Sequence, residues 1–136
     1  MIVRRQGKVK TMYYPVTTST ALALGSLVSF TSGKLVAATA STTAVNIEGV
    51  LQKAITANDY DYATNRLVPV DVPVERFVVW LCDVTSGLVT TDIGVEVNLT
   101  DASTINRGSS TVGVAKCVKV ISATQGEFLV KIGGGY

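Results

Sequence analysis

From Val68 to Glu75 the chain alternates strictly, with Val68, Val70, Val72 and Val74 on one side and Pro69, Asp71, Pro73 and Glu75 on the other. A period of two is the mark of a half-buried strand. Each proline lacks the N–H that a central strand donates, so the pattern predicts a sheet-edge strand or an extended arm lying on another surface. RFVVWLCDV follows at once, apolar on both faces and carrying the only tryptophan, Trp80. It predicts a buried strand.

Upstream, ALALGSLVSF and LVAATA flank Thr31-Ser32-Gly33-Lys34 and predict a β-hairpin. Val45 to Ile55 predicts a strand that Gly49 bulges. Residues 56–66 form the most polar stretch and predict a long surface loop. Downstream, Val95, Val97 and Leu99 alternate with polar neighbours, and Asp101 to Ser110 predicts a loop. Val112 to Ile121 is apolar on nearly both faces, which suits a central strand, and Phe128, Val130 and Ile132 mark the last one. Gly133 to Gly135 predict a flexible terminus. Helical periodicity is absent apart from room for one turn between Val45 and Tyr60. The expected fold is all-β, a small barrel or sandwich of about eight short strands in one domain over 19–136. Residues 1–18 precede it as an extended N-terminal arm, in which Tyr13 and Tyr14 take opposite faces.

One internal echo stands out. Leu24-Gly25-x-x-Val28-x-Phe30-Thr31-Ser32 matches Ile93-Gly94-x-x-Val97-x-Leu99-Thr100-Asp101, and Gly49-Val50 resembles Gly113-Val114. A duplication predicts two similar halves joined by the Leu67–Thr100 stretch. Shared turn and β-branched vocabulary explains the match equally well.

Composition sharpens the picture at two points. Charged residues make up only 16% of the 136, against a typical quarter, which leaves a surface poorly suited to a free monomer and points to assembly. The net charge of +2 is also uneven, because Arg4, Arg5, Lys8 and Lys10 precede the first acid, Glu48. Such an arm fits nucleic acid, a membrane surface or an acidic protein, or is simply a solvated tail. The basic start, TALALGSLVSF and Ala38-Thr39-Ala40 imitate a secretion signal. Gly25-Ser26 interrupts the apolar run, however, and the hairpin turn follows it, so these residues are expected in the folded domain. No apolar run reaches the length of a membrane span. Cys82 and Cys117 have no spacing motif and are expected as free buried thiols.

Catalytic chemistry finds few carriers. The chain has no histidine, which removes Ser-His-Asp and Cys-His catalysis and the commonest base near neutral pH. Two cysteines cannot make a structural zinc site. Asp71 and Glu75 lie roughly 13 Å apart along one strand, too far for a glycosidase pair. Asn58-Asp59-Tyr60-Asp61 has a D-x-D look but lacks the glycine and terminal glutamate of an EF-hand loop, and turn chemistry accounts for it. The expectation is no enzyme, no metal and no cofactor. Lys116 and Lys119 do not form a stripe with aromatic residues, so nucleic-acid binding is disfavoured. Asn98-Leu99-Thr100 is formally a glycosylation sequon but sits on an expected strand.

VPVDVPVE, the Trp80 strand, Val84-Thr85-Ser86-Gly87 and Asp92-Ile93-Gly94-x-x-Val97-x-Leu99-Thr100-Asp101 occur in succession. With Val112-Gly113-Val114 and Gly126-x-x-Leu129-Val130 they make a pattern that resembles the small capsid decoration (cement) proteins of tailed bacteriophages. The resemblance covers Leu67–Ile132 and, more loosely, Ala21–Val50. It implies a compact β-barrel or β-tulip-like sandwich that binds the outside of a phage head, usually as trimers, and locks capsomers together. The N-terminal arm lies outside the resemblance, but its basic character suits an acidic shell surface, so Arg4, Arg5, Lys8, Lys10, Tyr13 and Tyr14 are expected to contact the major capsid protein. Val68, Pro69, Val70, Asp71, Val72 and Pro73 are expected to form the self-association edge of a homotrimer. The implied location is the outer capsid surface of a virion, after synthesis in the host cytoplasm, with no membrane partner. Other virion parts (head-fibre base, neck, tail tube) and an oligonucleotide-binding barrel are the alternative readings.

Overall fold

A computed structural model describes residues 1–16, 21–56 and 67–136; the Asn58–Asp61 pattern and most of the polar stretch around it lie outside them. Strand makes up about half of the described residues and helix only two short turns. They form β1 (Val3–Gln6), β2 (Val9–Pro15), β3 (Leu27–Thr31), β4 (Lys34–Ala37), β5 (Gly49–Leu51) and β6 (Leu67–Pro73). After these come β7 (Val79–Val84), β8 (Glu96–Asp101), β9 (Thr104–Asn106), β10 (Ala115–Ser122) and β11 (Gln125–Val130). Single 3-10 turns lie at Ala44–Asn46 and Thr90–Asp92. The all-β expectation holds. The strand number exceeds the expected eight because short strands such as β1 and β9 carry too little alternation to be read, and because the first residues are themselves strands.

Two sheets share one plan. The first runs β2-β6-β5-β3-β4 and the second β7-β11-β10-β8-β9, with β1 added beside β7. Numbered within each unit, both orders are first, fifth, fourth, second, third. Both units also close the same way, by a parallel contact between their first and third strands. In the second unit Asp83 and Val84 pair with Thr104 and Ile105, completing a five-stranded barrel. In the first unit the single bridge Val16–Leu35 does this. The internal echo therefore corresponds to matching architecture. Its two leading glycines, Gly25 and Gly94, both stand at positive φ, 77° and 85°, where a side chain is disfavoured.

Each unit has its own interior. Val16, Val28, Leu35, Leu51, Val68 and Val70 fill the first. Trp80, Cys82, Val97, Leu99, Ile105 and Phe128 lie in the larger second cluster, which also takes in Leu27 and Val50 from the outer side of the first sheet. Trp80 and Phe128 are cross-strand neighbours, both essentially without exposure, the arrangement in which aromatic pairs add most to a sheet. Gly49 is needed because β6 passes against it. A Cβ there would lie 2.7 Å from Val70 Cγ1 and closer still to the Asp71 carbonyl oxygen. The expected Gly49 bulge is thus a close backbone approach, and β5 covers only three residues of the expected Val45–Ile55 strand.

The ends of the chain are exchanged between the units. β1 pairs with β7 of the second barrel, whereas Gly133 N–H and Gly134 N–H donate to the Ile47 and Ala44 carbonyls of the first. Tyr136 lies between the Lys116 and Lys131 ammonium groups, 4.9 and 5.1 Å from its ring. Two expectations are corrected by this. Residues 1–16 are extended but do not form a separate arm, because their backbone groups are taken up by β7 and β6. The C-terminal glycines are docked, their flexible backbone being used for turns that reach the first unit.

Candidate interaction surface

The basic residues of the first ten positions are distributed by strand alternation. Arg4 lies on β1 opposite Trp80, with Nη1 donating to the Gly7 carbonyl at 2.8 Å. Arg5 takes the other face, with Nε 3.6 Å from Glu127 Oε1. Gly7, at φ +94°, turns the chain against Val78 and leads into Lys8 and then Lys10 on β2, both exposed. The four cations thus do not form one patch.

β2 and β6 run side by side over their full length, with Tyr13 opposite Pro69, Thr11 opposite Asp71 and Val9 opposite Pro73. Thr11 Oγ1 donates to Asp71 Oδ1 at 3.0 Å. Of the residues expected to contact capsid, only Tyr13 therefore shares the outward face of Pro69, Asp71 and Pro73, because Lys10 and Tyr14 alternate to the side of Val72 and Val68. Tyr13 and Tyr14 divide as their alternation requires. Tyr13 is 59% exposed. Tyr14 is an internal anchor, its hydroxyl donating to Glu48 Oε1 at 2.5 Å and its ring meeting Phe30 edge-on at 4.9 Å. Burial, then the Glu48 carboxylate, pushes its phenol up to about 12.

The edge assignment of Val68–Pro73 is corrected. β6 lies between β2 and β5, and Val68 and Val70 are fully buried in the first barrel, so neither can touch another copy. Val72 packs against the same cluster; only Pro69, Asp71 and Pro73 face outward. The prolines are tolerated for a definite reason. Val74 N–H donates to the Lys8 carbonyl, so even-numbered residues of β6 face β2. Odd-numbered residues face β5, as the Pro69 carbonyl does in accepting from Gln52 N–H. Both missing donors fall on that second side, and β5 pairs there only with Val70 and Asp71. A proline costs no ladder bond where no strand lies opposite.

The edge that does stand open is that of β2. It is the end strand of its sheet and, beyond the Val16–Leu35 bridge, has no second neighbour among the described residues. Beside the Lys8 end lies a feature that no periodicity signals. Phe77 sits at φ 61° with 54% of its surface exposed, and the Arg76 guanidinium lies 5.0 Å from its ring. Left-handed backbone is costly for a bulky residue. Val74, 56% exposed, is bonded to Lys8 next to it, and Glu75 Oε1 accepts from Lys8 N–H at 2.8 Å. Val74, Arg76, Phe77 and Lys8 are thus an exposed group of apolar and cationic side chains at this end of the strand pair.

Other polar groups have structural work. Asn98, 4% exposed, donates through Nδ2 to Ser109 Oγ and Thr111 Oγ1 at 2.8 and 2.9 Å. Its Oδ1 accepts from Val112 and Gly113 N–H, both at 2.8 Å. This side chain fixes the loop between β9 and β10, which the sequon pattern did not suggest. Cys82 and Cys117 are free and buried, and burial pushes both thiols up. Among the described residues no group of three or more His, Cys, Asp or Glu side chains converges on a point, and no helix is long and apolar enough to cross a membrane. No protein-family model matches the chain, and no characterised protein matches its sequence.

Proposed function

We propose that this chain is a structural virion protein that decorates the outer surface of a bacteriophage capsid and stabilises it by bridging major capsid protein subunits. The observation that carries the reading is Phe77, an aromatic ring kept in solvent on a strained backbone beside Val74, Arg76 and Lys8. Exposed aromatic and arginine side chains are the usual anchors of protein interfaces, and strain persists where a surface has a task. The rest of the molecule suits a passive binding role, with two rigid barrels, interlocked ends and few charges. Weak contacts suffice when many linked copies bind together. Contact between copies through β6 is restricted to Pro69, Asp71 and Pro73, and Tyr14 supports the fold rather than the contact.

Electron microscopy of phage heads with and without the protein, combined with their heat stability, tests this. The expected result is density on the outer shell and a lower melting temperature for bare particles. Absence from the shell, with unchanged particle stability, overturns the proposal. Phe77 beside Arg76 also suits base stacking. A salt-dependent gel shift with single-stranded DNA, lost on replacing Arg76 and Phe77 by Ala, would favour an oligonucleotide-binding barrel instead.

A further inference from the structure

The two barrels differ at one matching place, and the difference defines a strand position that is vacant among the described residues. In the second unit the edge of β7 turned away from β11 is filled twice, by β9 at Asp83 and Val84 and by β1 at Val79 to Leu81. In the first unit the corresponding edge of β2 is filled once, by the Val16–Leu35 bridge. Thr11 and Tyr13 precede Val16 by the same intervals at which Val79 and Leu81 precede Val84, and those two residues pair with Gln6 and Val3. Even-numbered residues of β2 face β6, as the Lys8 carbonyl does in accepting from Val74 N–H. The N–H and C=O groups of Val9, Thr11 and Tyr13 therefore point to the open side. The position is equivalent to the one β1 occupies, but no described strand fills it.

We infer that the Val9–Tyr13 edge of β2 accepts an extended strand of a partner protein, and that this strand is acidic. Strand addition to an open edge draws its affinity from main-chain hydrogen bonds and its specificity from alternate side chains. Two features define those side chains. Lys10 of β2 and Lys8 just before it are exposed and alternate to one face, where they match carboxylates of the added strand. Tyr13 and Pro69 form a cross-strand pair on the other face, where Tyr13 is 59% exposed and covers an apolar residue of the guest. The guest thus alternates acidic and apolar positions. β1 of a second copy does not meet this description, since it carries no carboxylate and one of Arg4 and Arg5 would fall on the face of Lys8 and Lys10. Pro15, which lacks a donor, limits the acceptor to the stretch before it. The inference concerns the edge itself and stands whether or not the partner belongs to a capsid.

Amide hydrogen exchange of the full chain tests it, with a capped eight-residue peptide alternating glutamate and valine as the probe. In the free protein the Val9, Thr11 and Tyr13 amides should exchange quickly compared with Met12 and Tyr14. The peptide should slow them at least about tenfold and shift the Tyr13 ring signals. The same peptide with lysine for glutamate, or with alternate backbone nitrogens methylated, should have no effect. Lys10→Glu should weaken binding about tenfold or more while leaving the melting temperature unchanged. Amides already protected in the free protein, equal response to the lysine peptide, or no response to the glutamate peptide would each overturn the inference. Self-association that buries the Thr11 and Tyr13 amides would show that a second copy, not an acidic partner, takes the edge.

Discussion

Val16, the residue after β2, and Leu35 of β4 meet in a parallel bridge, both without solvent exposure, and this one contact draws the first sheet shut. Leu35→Ala removes packing inside a small barrel with little freedom to collapse. It should cost about 2–5 kcal/mol, read as a lower urea midpoint with unchanged slope. A loss below about 1 kcal/mol would mean that the first unit does not depend on closure.

Asn98 should rank among the most sensitive polar positions. Asn98→Ala leaves Val112 and Gly113 N–H groups without their acceptor, a loss of about 2–4 kcal/mol for one partly buried and one buried donor. Hydrogen exchange should accelerate at those two amides first. A neutral result would imply that water takes over both bonds.

Gly49→Ala brings a methyl group against the Asp71 carbonyl and Val70. Backbone, not a flexible side chain, must move, so a cost of about 1–3 kcal/mol is expected. Gly33→Ala is the comparison. Its added carbon meets nothing within 4 Å, leaving only the penalty of its positive φ.

Three carboxyls set the acid limit. The Arg107 side chain, then Val89 N–H, holds Asp92 below the usual carboxylate range. The Lys131 ammonium does so for Glu96, and Ser103 N–H for Asp101. Groups whose folded pKa is lowered contribute stability above the unfolded value, and the contribution disappears as pH falls through the folded value. Stability should therefore decline as pH drops below about 4. Arg107→Ala should move the Asp92 titration upward in carboxyl NMR while leaving Asp101 in place.

Phe77→Asn separates function from folding. Asn tolerates left-handed backbone far better than Phe, and the ring is not in either core. Stability should be unchanged or higher by up to about 1 kcal/mol, while binding to phage shells should fall at least about tenfold. Full shell binding by this variant would remove Phe77 from the proposed interface.

The strand content and much of the core were legible, because Val68, Val70, Trp80, Phe128 and Val130 follow period-two or doubly apolar patterns that burial imposes directly. The echo around Gly25 and Gly94 was legible too, since a positive-φ turn before a strand constrains residue type. What failed were inferences about neighbours. Pro69 and Pro73 were read as edge signals, but a proline reports only a missing hydrogen-bond partner, and here β5 is too short to reach either. The arm was read as separate because Arg4, Arg5, Lys8 and Lys10 mask the weak alternation of Ile2 and Val9. Asn98 was missed because one polar residue on a strand carries no sign of its hydrogen bonds, and Phe77, read as part of the buried RFVVWLCDV strand, instead stands exposed before β7 at a backbone angle that its apolar neighbours do not signal.

Because the first strand is laid along the second barrel and the last residues brace the first, the chain is buckled like a belt whose two ends are each fastened to the unit they do not belong to. Tension applied at either terminus is shared by both barrels, and neither unit can be pulled open without loosening the other. Such a body transmits load across its length, which neither barrel would do if the two were merely strung in series.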